Sequence, residues 1–210
     1  MANKSHSFVV SVAGICLLLT TQPLASSPEK TTSLSDGKTL AGWHAVGDGT
    51  WTVEDGAFVG RADRTKLYGL LVSDQTFSNF TVSFRFKCIS GDSGFYIRTL
   101  IEKPEKGKGM QVQVGPVGSG NGGIYESYGR GWLARPSAEL EKKIVKADDW
   151  NQMIITADGG VITVHVNGTK TAELKKDTGR ATGRFALQMH ADQKVHVMFA
   201  DITIKETAAD

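Results

Sequence analysis

Apolar and polar side chains alternate with a period of two through most of the chain after residue 33. The stretch 80–87 is the clearest case, with three phenylalanines and a valine on one face and polar or charged side chains on the other. Because a strand sends successive side chains to opposite faces, this pattern predicts β-structure. Ten runs are predicted strands: residues 51–53, 57–60, 80–87, 94–100, 110–114, 150–157, 161–166, 169–173, 184–190 and 195–205.

The connections between these runs carry turn residues. Asn167-Gly168 lies between two alternating runs, and an Asn-Gly pair supplies the positive φ angles of a tight hairpin turn. The only helix-like stretch, 137–146, is short and polar and could equally be a loop, so the chain has no βαβ alternation. The pattern predicts an all-β fold in which two antiparallel sheets pack as a β-sandwich or jelly roll.

Three predicted strands place hydrogen-bonding side chains two residues apart on one face. These are Tyr96 and Arg98, Gln111 and Gln113, and Gln188 and His190. If the three strands are neighbours, their side chains form a continuous polar floor. Amides and guanidinium groups offer fixed, planar sets of hydrogen-bonding atoms that suit pairs of sugar hydroxyls. The floor therefore indicates a small carbohydrate or glycoside ligand.

A glycine-rich segment follows between residues 107 and 132. Beyond the strand 110–114 it carries Tyr125, Glu126, Tyr128, Arg130 and Trp132. We predict that it forms a long loop and a wall of the floor, since binding groups usually lie on loops of a rigid scaffold. Tyr125 and Trp132 could stack on the apolar faces of pyranose rings.

The amino terminus has the layout of a secretory signal peptide, with one cation at Lys4 and an apolar run over 8–19. This run is too short to span a bilayer. We expect a signal peptide at 1–26 with cleavage near 25–27, a linker at 27–32 and a domain at 33–206, in a secreted or periplasmic protein. An uncleaved anchor and a lipoprotein acylated at Cys16 are alternatives.

The charge balance bears on possible binding partners, and the cysteine content bears on how the fold is stabilised. The chain has 24 Lys and Arg against 22 Asp and Glu, and Lys4 is the only charged residue of the predicted signal peptide. The mature protein is nearly neutral, which argues against a nucleic-acid partner, and it has no predicted membrane span. Its single thiol, Cys88, is expected to be a buried small apolar side chain. The oligomeric state is open.

Several motifs in order resemble one known family. They are LSDGKTLAGW at 34–43, WTVEDGAFVG at 51–60, DSGFYIR at 92–98, WN at 150–151, VNG at 166–168 and ALQMH at 186–190. Over residues 34–205 the chain resembles the 3-keto-disaccharide hydrolase domain family, which implies a concanavalin A-like lectin/glucanase fold. The chain departs from the family pattern at Gln111, where Glu is usual, at Gly115-Pro116, and in the closing strand 199–202.

The resemblance implies a hydrolase of 3-keto disaccharides or related glycosides. The C3 ketone acidifies the C2 hydrogen, so the glycosidic oxygen can leave by elimination before water adds. Such a route needs one base and one group that stabilises the enolate. His190 is the candidate base, Arg98 the partner of the ketone oxygen and Glu126 the nearest spare carboxylate. Each residue also has a purely structural interpretation. His190 could be a hydrogen-bonded structural imidazole, Arg98 an exposed cation at a strand end, and Glu126 a solvated acid on a loop.

The remaining floor residues are expected to bind rather than react. They are Tyr96, Gln111, Gln113, Tyr125, Trp132 and Gln188. The floor strands carry no acid, whereas an ordinary glycosidase needs two carboxylates. The main alternative is a non-catalytic carbohydrate-binding module, which Gln111 favours, and a third is an interaction protein of the cell envelope. No metal-ligand spacing is present, and a divalent metal such as calcium on loop oxygens is left open.

Overall fold

The computed structural model describes Met1 and residues 30–102 and 104–207. These residues form fifteen strands and one helix. The strands are β1 (Thr31–Ser33), β2 (Trp43–Gly47), β3 (Thr50–Glu54), β4 (Ala57–Asp63), β5 (Gly69–Phe77), β6 (Phe80–Ser90), β7 (Ser93–Glu102), β8 (Lys106–Val114), β9 (Ile124–Ser127), β10 (Gly131–Ala134), β11 (Asn151–Asp158), β12 (Val161–Val166), β13 (Thr169–Lys175), β14 (Gly183–Met189) and β15 (Lys194–Glu206), and the helix is α1 (Ala138–Ile144).

Two antiparallel sheets account for all of these strands. The back sheet has the order β13-β12-β11-β6-β15-β4-β3, with β1 also paired to β15. The cleft sheet has the order β10-β9-β8-β7-β14-β5-β2. The predicted two-sheet sandwich is confirmed. Within residues 30–102 and 104–207, no helix is long and apolar enough to cross a membrane.

The amino-terminal predictions fall mostly outside this structure. Residues 2–29, which hold the predicted signal peptide and the start of the predicted linker, lie outside the described residues. The end of the predicted linker is wrong, because Thr31–Ser33 form β1 and pair with Thr203–Lys205 of β15. The sandwich therefore begins slightly before residue 33.

The core lies between the two sheets and is rich in phenylalanine. Phe84 of the back sheet stacks on Phe95 of the cleft sheet with ring centroids 4.3 Å apart. Phe77 and Phe185 stack at the same centroid distance. All four side chains are buried, and each contributes on the order of 2–3 kcal/mol through burial. The apolar face predicted for 80–87 is this core face, and Cys88 is buried as expected.

The glycine-rich segment is more regular than predicted. Instead of one long loop up to Trp132, the chain forms β9 and β10, which extend the cleft sheet beyond β8. The turn between β8 and β9 is organised by Glu141, a helical residue whose carboxylate accepts hydrogen bonds from the backbone N–H groups of Gly118, Gly120 and Asn121. Helix α1 forms because the side chain of Ser137 caps the N–H of Leu140.

The hairpin between β7 and β8 bends sharply after Ile97. The register of the two strands shifts between Ile97 and Leu100, and Arg98 has a left-handed backbone with φ of +50°. Beyond the bend, Ile101 packs on the outward-facing cluster of Leu70, Val72, Tyr96 and Ala186. The outer part of the hairpin, residues 100–102 and 104–108, therefore folds over the outer face of the cleft sheet. We call it the hairpin arm.

Arg98 anchors this bend. Its guanidinium donates to the carbonyl oxygens of Ser78 at 2.9 Å and Gly159 at 2.7 Å, and to Oδ1 of Asn79 at 3.1 Å. The side chain is only 2 % exposed. Its partners belong to the β5–β6 and β11–β12 turns, so Arg98 faces away from the polar floor. The predicted contact between Arg98 and a ketone oxygen is contradicted by this position.

Replacing Arg98 should weaken the fold strongly. Arg98→Met removes all three hydrogen bonds of a buried guanidinium that joins two turns to the hairpin, and we expect the free energy of unfolding to fall by about 2–4 kcal/mol. Arg64→Met is the matched control, because Arg64 also has a positive φ but is exposed, and it should change stability by less than about 0.5 kcal/mol. Urea denaturation measures both. Equal effects of the two variants would contradict the anchoring role.

Candidate functional site

A cleft of about 370 Å³ opens on the outer face of the cleft sheet. Four of its lining side chains form one row across four strands. Tyr96 pairs with Gln111, Gln111 with Tyr125, and Tyr125 with Trp132. Because strand faces alternate with a period of two, this register turns all four side chains toward the cleft. The structure thus brings together floor residues that the sequence predicted from separate strands.

The two floor glutamines form a directed hydrogen-bond chain. The side-chain amide of Gln111 donates to Oε1 of Gln113 at 3.1 Å and to the carbonyl of Ser93 at 3.3 Å. Gln113 in turn donates to Oδ1 of Asp92, which also accepts the N–H of Ser93 at 3.0 Å. A carboxylate only accepts, so Asp92 fixes the direction of both amides. Gly94 leaves space for this chain, since a Cβ there would lie 2.5 Å from Cγ of Gln111.

His190 follows β14 and is held at both its backbone and its ring. Its N–H donates to the carbonyl of Asp92 at 3.1 Å, and its ring Nδ1 lies 2.7 Å from the carbonyl of Ala191. A carbonyl can only accept, so Nδ1 carries the hydrogen in the neutral ring. Nε2 is then left with a lone pair that faces the cleft.

Tyr68 is the protein partner of that lone pair. Its hydroxyl lies 3.3 Å from Nε2 of His190, and the two rings meet edge to face with centroids 4.8 Å apart. Burial, with nearby Tyr128 and Asp92, raises the pKa of Tyr68. The phenol therefore stays protonated and donates to Nε2. Sequence reasoning missed Tyr68, because it precedes β5 outside any alternating run.

Aromatic rings line one side of the cleft. Trp132 is 42 % exposed and meets Tyr125 edge to face at a centroid distance of 5.4 Å. The guanidinium of Arg135 lies over the Trp132 ring, 4.6 Å from its centre, in a cation–π contact. Tyr128, the most exposed of the cleft aromatics, lies nearby on the β9–β10 turn. Tyr125 and Trp132 therefore have the exposure and orientation needed to contact a flat apolar ligand face.

Two carboxylates that the sequence did not indicate also line the cleft. The floor strands themselves contribute no acid, but Asp92 enters from the β6–β7 turn and Glu105 from the hairpin arm. Glu105 is 7 % exposed, and its Oε2 is buried with no hydrogen-bond partner among the described residues. Burial and the nearby Glu105 carboxylate raise the pKa of Tyr128.

Gln188 completes the floor beside His190. It pairs with Leu70 of β5, and it is almost fully buried. Its Oε1 has no hydrogen-bond partner among the described residues. A buried amide with an unused oxygen is costly unless a ligand or solvent satisfies it. Gln188 is therefore placed to bind a polar ligand group.

Glu126 lies outside the cleft. Its carboxylate forms a two-point ion pair with Arg130, which lowers the pKa of Glu126, and Arg130 also contacts Asp177 at 2.6 Å. Glu126 faces the opposite side of β9 from Tyr125 and Ser127, the two residues of that strand that line the cleft. The prediction that Glu126 is the nearest spare carboxylate is therefore not supported by its position, which instead ties the β9–β10 turn to residue 177.

No group of three or more His, Cys, Asp or Glu side chains that could hold a metal ion occurs in the part of the chain that the structure describes. Asp92 and His190 of the cleft form hydrogen bonds with amide, backbone and phenol groups.

The ring geometry of His190 gives a direct prediction. In the neutral ring we expect the hydrogen on Nδ1 and the lone pair on Nε2, which long-range ¹H–¹⁵N NMR spectra distinguish. Tyr68→Phe removes the donor to Nε2 but leaves the bond to Ala191, so the same tautomer should persist. A spectrum with the hydrogen on Nε2 would contradict this assignment.

Solved structures share the fold. A candidate glycosyl hydrolase from Parabacteroides distasonis is 21% identical, with a TM-score of 0.62 over 85% of this chain and 94% of that chain. The carbohydrate-binding module CBM66 from Bacillus subtilis is 18% identical, with a TM-score of 0.58 over 79% and 96%. A protein of unknown function with a galectin-like fold from Bacillus subtilis is 14% identical, with a TM-score of 0.61 over 86% and 96%.

Among curated proteins, none matches the sequence. The model of the 3-keto-alpha-glucoside-1,2-lyase-like domain matches residues 30–205, which span the sandwich except for the last residue of β15. The motifs at 34–43, 92–98 and 186–190 fall within this match, and the last two carry four cleft residues. The resemblance inferred from them is confirmed, and the chain belongs to the 3-keto-alpha-glucoside-1,2-lyase-like domain family.

Proposed function

We propose that this protein cleaves the glycosidic bond of 3-keto glycosides by elimination, followed by addition of water. The main support for the proposal is the lone pair on Nε2 of His190, a residue that lines the cleft. The ring is oriented by the hydrogen bond from Nδ1 to the carbonyl of Ala191. An imidazole oriented in this way is suited to general-base catalysis. Membership of a family described as 1,2-lyase-like supports removal of the proton at C2.

In the proposed first step, Nε2 of His190 takes the C2 hydrogen next to the ketone, and negative charge develops on the ketone oxygen. Two neutral donors would face that oxygen. The phenol of Tyr68, released from Nε2 as the imidazole is protonated, is one, and the Nε2–H group of the Gln188 amide is the other. Such donors stabilise an enolate when they are fixed in advance. These two donors replace Arg98, which the sequence predicted as the partner of the ketone oxygen.

A sugar ligand fits the remaining cleft groups. The amide chain from Gln111 to Asp92 uses its N–H groups inside the protein, so the floor offers oxygen acceptors to sugar hydroxyls. Trp132 and Tyr125 offer ring surface to a pyranose face. These contacts support binding of a small carbohydrate at the row of Tyr96, Gln111, Tyr125 and Trp132.

The second candidate function is that of a carbohydrate-binding module without turnover. Gln111 favours it, because an amide is a poor base and stands where the family usually has a glutamate. The likeness in fold to a carbohydrate-binding module is compatible with it. The two candidates share the sugar contacts and differ only in whether His190 moves a proton.

Deuterium labelling tests the proposed reaction. The mature protein is incubated in D₂O with 3-keto-trehalose and with trehalose. Elimination and hydration should release sugar from the keto substrate alone and place deuterium at C2 of the product, whereas direct hydrolysis leaves C2 unlabelled. His190→Ala should lower kcat/KM at least about 100-fold, since loss of a general base typically costs that much.

The controls separate the candidates. His165→Ala alters a histidine of β12 in the back sheet and should leave turnover unchanged. An incubation without protein measures spontaneous exchange at C2. Release of sugar without deuterium would contradict elimination. Calorimetric binding of trehalose or its keto form without turnover would establish the binding module instead.

We also propose that the protein acts outside the cytoplasm, as the apolar run at 8–19 predicts. When the full chain is expressed in a bacterial host, we expect it to be exported and processed. Mass spectrometry of the exported protein should then show an amino terminus near residues 25–27. Leu18→Arg interrupts the apolar run and should leave the protein unprocessed in the cytoplasm. Recovery of the unchanged chain in the cytoplasm for both versions would contradict export.

A further inference from the structure

Among the described residues of the cleft, Glu105 is the carboxylate with a buried oxygen that no hydrogen bond satisfies. Its Oε2 is buried, and its side chain is more than nine-tenths buried although it lines the cleft. An unpaired buried carboxyl oxygen is costly and calls for a partner. Because Glu105 lines the cleft, the partner we expect for it is a group of the bound ligand.

The hairpin arm explains how Glu105 reaches the cleft. Gly107 lies over Tyr96 and Leu70 on the outer face of the sheet, where a Cβ would approach both side chains at 3.3–3.5 Å. Glu105 lies against β2, since a Cβ at Gly47 would be 2.9 Å from Cβ of Glu105. Gly47 adjoins the backbone of Tyr68, the partner of His190. Glu105 and His190 thus enter one cleft from different elements.

Asp92, the other carboxylate of the cleft, is already engaged. Its Oδ1 accepts from the side chain of Gln113 and from the N–H of Ser93. Its backbone carbonyl accepts from the N–H of His190. Asp92 therefore orients the floor and the base through Oδ1 and its carbonyl, whereas Glu105 has no such role and holds a buried oxygen without a partner among the described residues.

We propose that Glu105 is the general acid that protonates the departing glycosidic oxygen. This proposal rests on the elimination proposed above. His190 removes the C2 hydrogen, the C1–O bond breaks, and the electron pair of that bond goes to the glycosidic oxygen, which takes the proton of the Glu105 carboxyl. The products are the free alcohol and an unsaturated keto sugar with a double bond between C1 and C2.

Addition of water restores both groups. The Glu105 carboxylate takes a proton from a water molecule while the oxygen of that water bonds to C1. Protonated His190 then returns a proton to C2. The sum is hydrolysis, with no oxidant or cofactor consumed. Glu105 and His190 thus exchange the roles of acid and base between the two half-reactions.

Leaving groups of different basicity provide the test. Glu105→Gln keeps the shape of the side chain but cannot donate a proton. With methyl 3-keto-α-glucoside, whose alkoxide needs protonation, kcat/KM should fall about 100- to 10,000-fold. With 4-nitrophenyl 3-keto-α-glucoside, whose phenolate leaves unaided, it should fall less than about fivefold. Glu102→Gln, on the same arm and paired with Lys108, is the matched control and should change neither rate.

Other outcomes overturn the proposal in distinguishable ways. Equal losses with both substrates, or no loss with either, would show that Glu105 is not the acid, while the elimination itself stands. If the unmodified protein turns over neither substrate, the proposed elimination fails and the assignment of Glu105 fails with it. Should Glu105→Gln fold poorly, Glu105→Ala is assayed with added formate, which should restore cleavage of the methyl glycoside only.

Discussion

The guanidinium of Arg98 lies against two turns and joins three parts of the chain. It donates to two carbonyl oxygens and one side-chain oxygen in the turns before β6 and β12, so it links the β7–β8 hairpin to both sheets. A buried cation is stable only with such partners, and their positions fix its own. The left-handed backbone at Arg98 bends the hairpin. Without that bend, the outer face would be a flat floor with no opposing wall.

The floor shows what alternation in a sequence can predict. A period of two decides which side chains share a face of a strand, whatever its neighbours are. Tyr96, Gln111 and Gln188 were therefore assigned correctly to one surface. The same rule placed Arg98 on that surface and was wrong there, because a residue with positive φ breaks the alternation. Nothing in the type of residue signals the bend, since arginine rarely adopts this conformation.

The parts of the site that sequence reasoning missed lie in connections. Tyr68, Asp92 and Glu105 stand outside alternating runs, and their positions depend on how the chain reverses direction. The glycine-rich segment was predicted as a loop because glycines mark turns. Its order comes from the carboxylate of Glu141, about twenty residues further on. Such long-range contacts leave no local pattern in the sequence.

The hairpin arm shapes the cleft but packs outside the main core, so changes in the arm affect ligand specificity more than folding. The arm packs on the satellite cluster around Leu70 and Tyr96, which is distinct from the large cluster between the sheets. Insertions or deletions in the arm would reshape the cleft and move Glu105 while leaving the interior intact. Relatives with arms of other lengths could then accept longer or shorter glycosides on the same sandwich. The arm is also the natural segment to exchange when a new specificity is engineered.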